Sequence, residues 1–336
     1  MELLLGFLIV FIAGIIQGTF VLPMTLTKRW NWENTWFTFS IFGMLLINWI
    51  LALIFIPHLF SVFQIVPLQD IIILLLFGFG WGAGAVLFGI GMNRLGMSLG
   101  YPIIQSLVAV LGAIIPMLIF NLQNVITLRG GILLLGASVD VFGVIVCSRA
   151  YAMKERNQGI EGNKSNTTKL GVLIAIGAGL LCCLPNVGAA FGESTIHAAQ
   201  QFGASDSMAG NAVWAIFFTV GFIPNACYTI YLMRKNNSKN FFKLNTSINS
   251  TLCFFMALMW VGSMYLYGTG ASKLGDWGLI IGWPLFISLS IIVGNLWGVA
   301  RGEWKNANPL AREKLNIGLM IIFIAMLLIG VCNIFK

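Results

Sequence analysis

Ten stretches of mainly apolar residues, separated by short polar breaks, run the length of the 336-residue chain. They fall at 3–26, 36–57, 70–93, 98–121, 130–148, 170–192, 208–233, 250–268, 276–299 and 315–335. A helix needs about 20 such residues to cross the hydrocarbon core, where only internal hydrogen bonding satisfies its backbone. The pattern predicts an all-α integral membrane protein with ten transmembrane helices. The first stretch does not read as a cleavable signal peptide, because it opens on Glu2 rather than a basic segment and its apolar run is too long. An even number of crossings puts both termini on one side.

Composition agrees with that pattern. The chain is 58% hydrophobic and 9% charged, where soluble domains carry roughly 25% charged residues. This excludes an ordinary soluble enzyme, and equally a disordered chain, which needs the opposite bias. The formal charge is +8, and its placement matters more than its size. Breaks after the odd-numbered stretches hold sixteen Lys and Arg residues, against Arg129, Lys273 and Lys336 on the other side. Basic loops are retained in the cytoplasm. The termini are therefore expected outside the cytoplasm, in a plasma (inner) membrane protein. The surplus charge is an orientation signal, too scattered among apolar runs to track nucleic-acid phosphates.

Two segments of the chain read alike. Trp81 to Gly96 contains Leu87, Gly89, Gly91, Arg94 and Leu95, and Trp260 to Gly275 contains Leu266, Gly268, Gly270, Lys273 and Leu274 in the same order. Downstream, Gly100-Tyr101-Pro102, Ser106 and Gly112 match Gly282-Trp283-Pro284, Ser288 and Gly294. Leu22-Pro23 and Leu184-Pro185 form a weaker echo. The expected organisation is a first five-helix repeat over 1–150, a linker over 151–169 and a second repeat over 170–336. Arg94 lies on the basic face and Lys273 on the other, so the second repeat would enter the membrane inverted. Inverted repeats around a midplane site are a transporter architecture, with broken helices at the site. Pro23 and Pro185 mark the expected bends.

No catalytic or metal-binding constellation accompanies this frame. There is no HExxH, P-loop or GxSxG, and only His58 and His197 are available as histidines. No enzyme activity, metal or other cofactor is expected. Six cysteines, including vicinal Cys182-Cys183, fall in or beside apolar stretches and read as buried thiols. Asp140 is the single acidic residue well inside a stretch. An intramembrane carboxylate is costly and points to function, so Asp140 is a proton-coupling candidate, with a helix-to-helix hydrogen bond as the alternative. Glu193, followed by His197, is a second candidate at the outer end of the sixth stretch.

Neutral polar groups are the more telling set. Gln17, Gln105, Ser106, Asn186, Asn211 and Asn225 lie in apolar surroundings, where a buried amide needs a partner from another helix, water or a ligand. Trp81, Tyr101, Trp214, Trp260, Tyr265 and Trp283 supply aromatic faces. Amides and rings with almost no fixed charge suit a neutral polyhydroxyl solute, the amides bonding hydroxyls while rings cover C–H faces. The competing use is helix-to-helix bonding for amides and interfacial belts for aromatics. Trp30, Trp32 and Trp36, beside Lys28 and Arg29, are expected in such a belt.

Arg29-Trp30-Asn31-Trp32-Glu33, Arg94-Leu95-Gly96-Met97-Ser98-Leu99-Gly100, Arg149-Ala150 with Lys154-Glu155-Arg156, and Gly298 with Glu303-Trp304-Lys305-Asn306-Ala307 together resemble the L-rhamnose–proton symporter family of the drug/metabolite transporter superfamily. The resemblance spans essentially the whole chain. It implies ten helices in two inverted halves and inward symport of a deoxy sugar with a proton. It also implies a cavity lined by the first, third, fourth, sixth, eighth and ninth helices, which selects Gln17, Trp81, Gln105, Asn186, Trp260 and Trp283 as substrate contacts. It counts against Asp140, since the fifth helix would be peripheral. The expected partners are a small sugar, a proton and the lipid bilayer, with no nucleic acid. An exporter of metabolites or drugs on the same frame, and a non-transporting sensor or scaffold, are the alternative readings. Oligomeric state is not legible.

Overall fold

The computed structural model describes residues 1–157 and 167–331. Residues 158–166 of the 151–169 linker and the end of the last apolar stretch therefore lie outside the described residues. Among the described residues all regular structure is helical. Ten helices are long and apolar enough to span a bilayer: span 1 Glu2–Leu26, span 2 Trp32–Phe55, span 3 Leu68–Met92, span 4 Ile103–Phe120, span 5 Leu128–Lys154, span 6 Lys169–Ala190, span 7 Asp206–Lys235, span 8 Thr246–Lys273, span 9 Gly275–Ala300 and span 10 Pro309–Val331. Each coincides with one predicted stretch. The protein is a multi-pass membrane protein.

Both expected bends occur at their Leu-Pro pairs. In span 1 the α-helix ends at Thr19 and resumes as a tighter 3-10 turn over Leu22–Leu26. In span 6 a helix over Thr167–Cys182 stops, and a second begins at Leu184. Proline has no N–H, which is tolerated in the first turn of a helix and disruptive further in. Restarting the helix at Leu-Pro places each proline in that first turn.

Two features differ from expectation. Spans 3 and 4 belong to one helical run, Leu68–Phe120, with no loop at Arg94. That run is not straight. A Cβ on Gly100 would stand 3.4 Å from the Gly91 carbonyl oxygen, whereas nine residues of straight helix rise about 14 Å. The chain doubles back between them while keeping its helical turns. The second difference is Trp30, which is no belt residue: it is buried and its indole donates to the Leu244 carbonyl at 2.8 Å.

By compactness the chain forms two units, each drawing on residues before and after the linker. Unit 1 is Met1–Ala83 with Gly188–Gly275, and unit 2 is Gly84–Val187 with Asp276–Lys336. Within unit 1, spans 1 and 8 cross at glycines, a Cβ on Gly6 or on Gly270 meeting the other's carbonyl oxygen at 3.0 Å. Lys273 Nζ donates to Glu2 Oε2 beside that crossing, at 2.6 Å. At the opposite end, the chain leading into span 2 and its first turn are tied to the chain leading into span 8 and its first turn. Lys28 and Asn249 exchange two hydrogen bonds at 3.1 and 2.8 Å, and the buried Glu33 carboxylate accepts from Ser238 at 2.6 Å and Asn236 at 3.0 Å. The arginine–tryptophan motif of the sequence is thus a clamp.

Within unit 2, span 5 packs along span 10, with Gly143 and Gly318 approaching each other's carbonyls in the same reciprocal way. The span 5 helix continues to Asn157, into the linker. Span 9 is the most buried of the ten.

Candidate functional site

In unit 1, Trp81, Trp260 and Gln17 come together. The Trp81 and Trp260 rings stack, their centroids 5.6 Å apart and their planes 6° from parallel. Phe218 lies 4.8 Å from Trp260 and 5.3 Å from Trp81, and Phe39 closes the Trp260 edge at 5.6 Å. One turn along span 8 from Trp260, the Ser263 hydroxyl lies 2.7 Å from both Gln17 Oε1 and the Trp260 carbonyl. Span 1 and span 8 thereby bring an amide beside the paired indoles.

Local backbone makes room for these rings. Span 2 widens into a π-helix over Ile41–Ile47, so the Asn48 N–H reaches back to Gly43. The Asn48 side-chain amide takes up the Met44 carbonyl that this register releases, at 3.3 Å, and also the Trp214 carbonyl, at 3.0 Å. Such π segments recur at functional sites. Gly43 sits within it, and a Cβ there would stand 3.2 Å from the Trp260 ring. On span 7 a Cβ at Gly221 would come within 2.7 Å of the Trp81 ring. Only glycine lets both indoles lie this close to backbone.

What the group offers chemically is open donors at the edges of a stacked indole pair. Among the described residues no acceptor meets the indole N–H of Trp81 or Trp260, or the amide nitrogen of Gln17, and none of the three nitrogens is sealed inside the protein. Rings with free N–H edges beside a carboxamide match the two sides of a sugar, apolar C–H faces and hydroxyls.

In unit 2 the predicted residues are placed differently. The Asn186 amide donates to the Gly112 carbonyl at 2.7 Å and to the Leu279 carbonyl at 3.0 Å, joining spans 6, 4 and 9. Trp283 packs its indole N–H edge against Gly112 and donates to the Val108 carbonyl at 2.9 Å. Gln105 donates to the Tyr101 hydroxyl at 3.3 Å. Asp140 is 1% exposed, and its Oδ1 accepts from Ser288 at 2.8 Å. Its Oδ2 has no partner among the described residues. Span 5 thus turns this carboxyl towards span 9.

Residues 2–334 match the family described as L-rhamnose-proton symport protein. The chain belongs to that family. Proteins named L-rhamnose-proton symporter resemble it over nearly their full length. The one from Citrobacter koseri is 28% identical over 323 residues, covering 93% of this chain and 92% of that protein. Those from Escherichia coli and Shigella dysenteriae are 26% and 25% identical, each covering 93% of both chains. A symport protein moves its solute unchanged, and this member of the L-rhamnose-proton symport family is not an enzyme. Among the described residues no cluster of His, Cys, Asp and Glu suits a metal ion.

Two further amides of the polar set serve unit 1 itself. Asn225 accepts from Trp36 at 3.1 Å and donates to the Gly221 carbonyl at 2.9 Å. Asn211 accepts from Trp214 at 3.1 Å and donates to Thr269 at 3.3 Å. Both join helices within unit 1. Glu193 stands on a short surface helix, its side chain 77% exposed and 3.6 Å from His197. Sequence reasoning missed Ser263 and Phe218. Ser263 had a signal, since it falls one turn after Trp260 on the same helix. Phe218 had none, being one of 26 phenylalanines.

Proposed function

We propose that this protein takes up L-rhamnose together with a proton, exposing its sugar site alternately to the two sides of the membrane. The observation that carries the reading is the family match across residues 2–334, supported by relatives of that name along nearly the whole chain. The site proposed for the sugar is the indole pair Trp81 and Trp260 with Gln17, because its donors are open. Gln105, Asn186 and Trp283 are proposed contacts on the family reading alone, and the last two have donors already committed to backbone. The lysine and arginine asymmetry supports an inner-membrane protein with both termini outside the cytoplasm. A ligand that binds only the folded state raises its melting temperature. A thermal-shift panel of monosaccharides on purified protein is therefore expected to single out L-rhamnose. Equal response to all sugars, or none to any, would overturn the reading.

A further inference from the structure

Symport requires a group that holds the proton, and the one buried carboxyl among the described residues of unit 2 is Asp140. Its surroundings are unusually empty of charge. Span 9, which faces it through Ser288, carries no ionisable side chain over Gly278–Ala300. Span 10, packed along the other side of span 5, has Arg312, Glu313 and Lys314 in its first two turns and none beyond. On its own helix the nearest titratable group towards the basic loops is Cys147, two turns away, with Arg149 and Tyr151 following. Arg129 lies eleven residues to the other side, about 16 Å along a helix. No ion pair among the described residues includes Asp140.

The pairing with span 9 is repeated further along. Tyr151 donates to Asn295 Oδ1 at 2.9 Å, so spans 5 and 9 are joined by two polar cross-links on one face of each helix. The second fixes the register that keeps Ser288 on Oδ1. The other oxygen, Oδ2, is buried and has no partner among the described residues. An ionised carboxylate there has one hydrogen bond in place of a hydration shell, and buried charge with so few partners is costly. Anything that changes what stands beside Oδ2 changes how firmly the carboxyl keeps its proton. Coupling needs that sensitivity.

We propose that Asp140 is the proton-carrying residue of this symporter, loaded and unloaded at Oδ2, with Ser288 as the positioning residue that holds Oδ1. The proton joins Oδ2 from water on one side and leaves to water on the other, with no other bond made or broken. The proposal rests on the rhamnose–proton reading above and goes beyond it by naming the group.

The test uses purified protein in proteoliposomes, with labelled L-rhamnose counterflow and rhamnose-driven proton entry read side by side. Counterflow needs no net proton movement. For Asp140→Asn, counterflow is expected within about threefold of wild type while rhamnose-driven proton entry falls by about tenfold or more. For Ser288→Ala, proton entry persists but its pH midpoint moves. Undiminished proton entry in Asp140→Asn would overturn the proposal. Should that variant fail to fold, Asp140→Glu keeps an ionisable group in altered surroundings: a displaced pH midpoint supports the assignment and an unchanged one overturns it. Wild-type protein that shows neither counterflow nor proton entry with rhamnose overturns the underlying reading instead.

Discussion

Unit 1 and unit 2 each bury a tryptophan that the sequence singled out, and they use it in opposite ways. Trp283 of unit 2 commits its N–H to the Val108 carbonyl and packs that edge against Gly112. Trp260 of unit 1 stacks on Trp81 and leaves its N–H open. The amides follow suit, Asn186 bonded to two backbone carbonyls and Gln17 holding only the Ser263 hydroxyl by its oxygen. Among the residues singled out for the sugar and the proton, those of unit 1 keep donors open, whereas Asp140 of unit 2 keeps an acceptor, Oδ2, without a partner among the described residues. A neutral sugar and a proton need just such unlike surroundings. Hydroxyls and C–H faces are met by donors and rings, and a proton by an oxygen that nothing else holds.

Removing a ring should break this contrast most visibly. Trp81→Leu keeps apolar bulk but loses a π face and an indole N–H, and rhamnose affinity is expected to fall by about a hundredfold. Calorimetric titration of the solubilised protein checks it. Affinity within twofold or so of wild type would move the sugar elsewhere.

The paired amides sharpen the same contrast. Gln17→Leu should lower rhamnose affinity by about tenfold, the worth of one well-placed hydrogen bond, while unfolding stays close to wild type. Asn186→Leu should do the reverse. It strands the Gly112 and Leu279 carbonyls and costs about 1–2 kcal/mol of stability, with affinity of the folded protein unchanged. Exchanged outcomes, read from melting curves and titrations together, would assign the two amides the other way round.

The smallest effect is expected at Glu193. Exposed side chains gain and lose little from their pairs, and Glu193 is 77% exposed. Glu193→Gln should leave initial rhamnose uptake within about twofold across roughly pH 6 to 8. A shifted pH profile would bring Glu193 into the proton pathway.

The membrane frame was legible because the bilayer imposes a length. Ten runs of apolar residues allow ten helices and little else, and Leu22-Pro23 and Leu184-Pro185 announce their breaks through the missing N–H. The π segment at Ile41–Ile47 gave no such signal, since its only mark is the small Gly43 under Trp260. Nor did the helical hairpin between Gly91 and Gly100, where Arg94 reads as a loop residue. The residue types of the site were legible too, but their division of labour was not. Whether an amide serves a ligand or a neighbouring helix depends on which backbone carbonyl comes within 3 Å of it. For Asn186 that carbonyl belongs to Gly112, 74 residues away in the chain. Asp140 was legible as a candidate, but its partner Ser288, 148 residues on, was not.

Accumulation of labelled L-rhamnose by proteoliposomes, with and without an imposed pH gradient alkaline inside, tests the central claim most directly. One proton per sugar supports about tenfold accumulation per pH unit, since each unit is worth about 1.4 kcal/mol. The account predicts rhamnose concentrated inside under the gradient and merely equilibrated without it. Equal internal rhamnose in both conditions would contradict proton coupling.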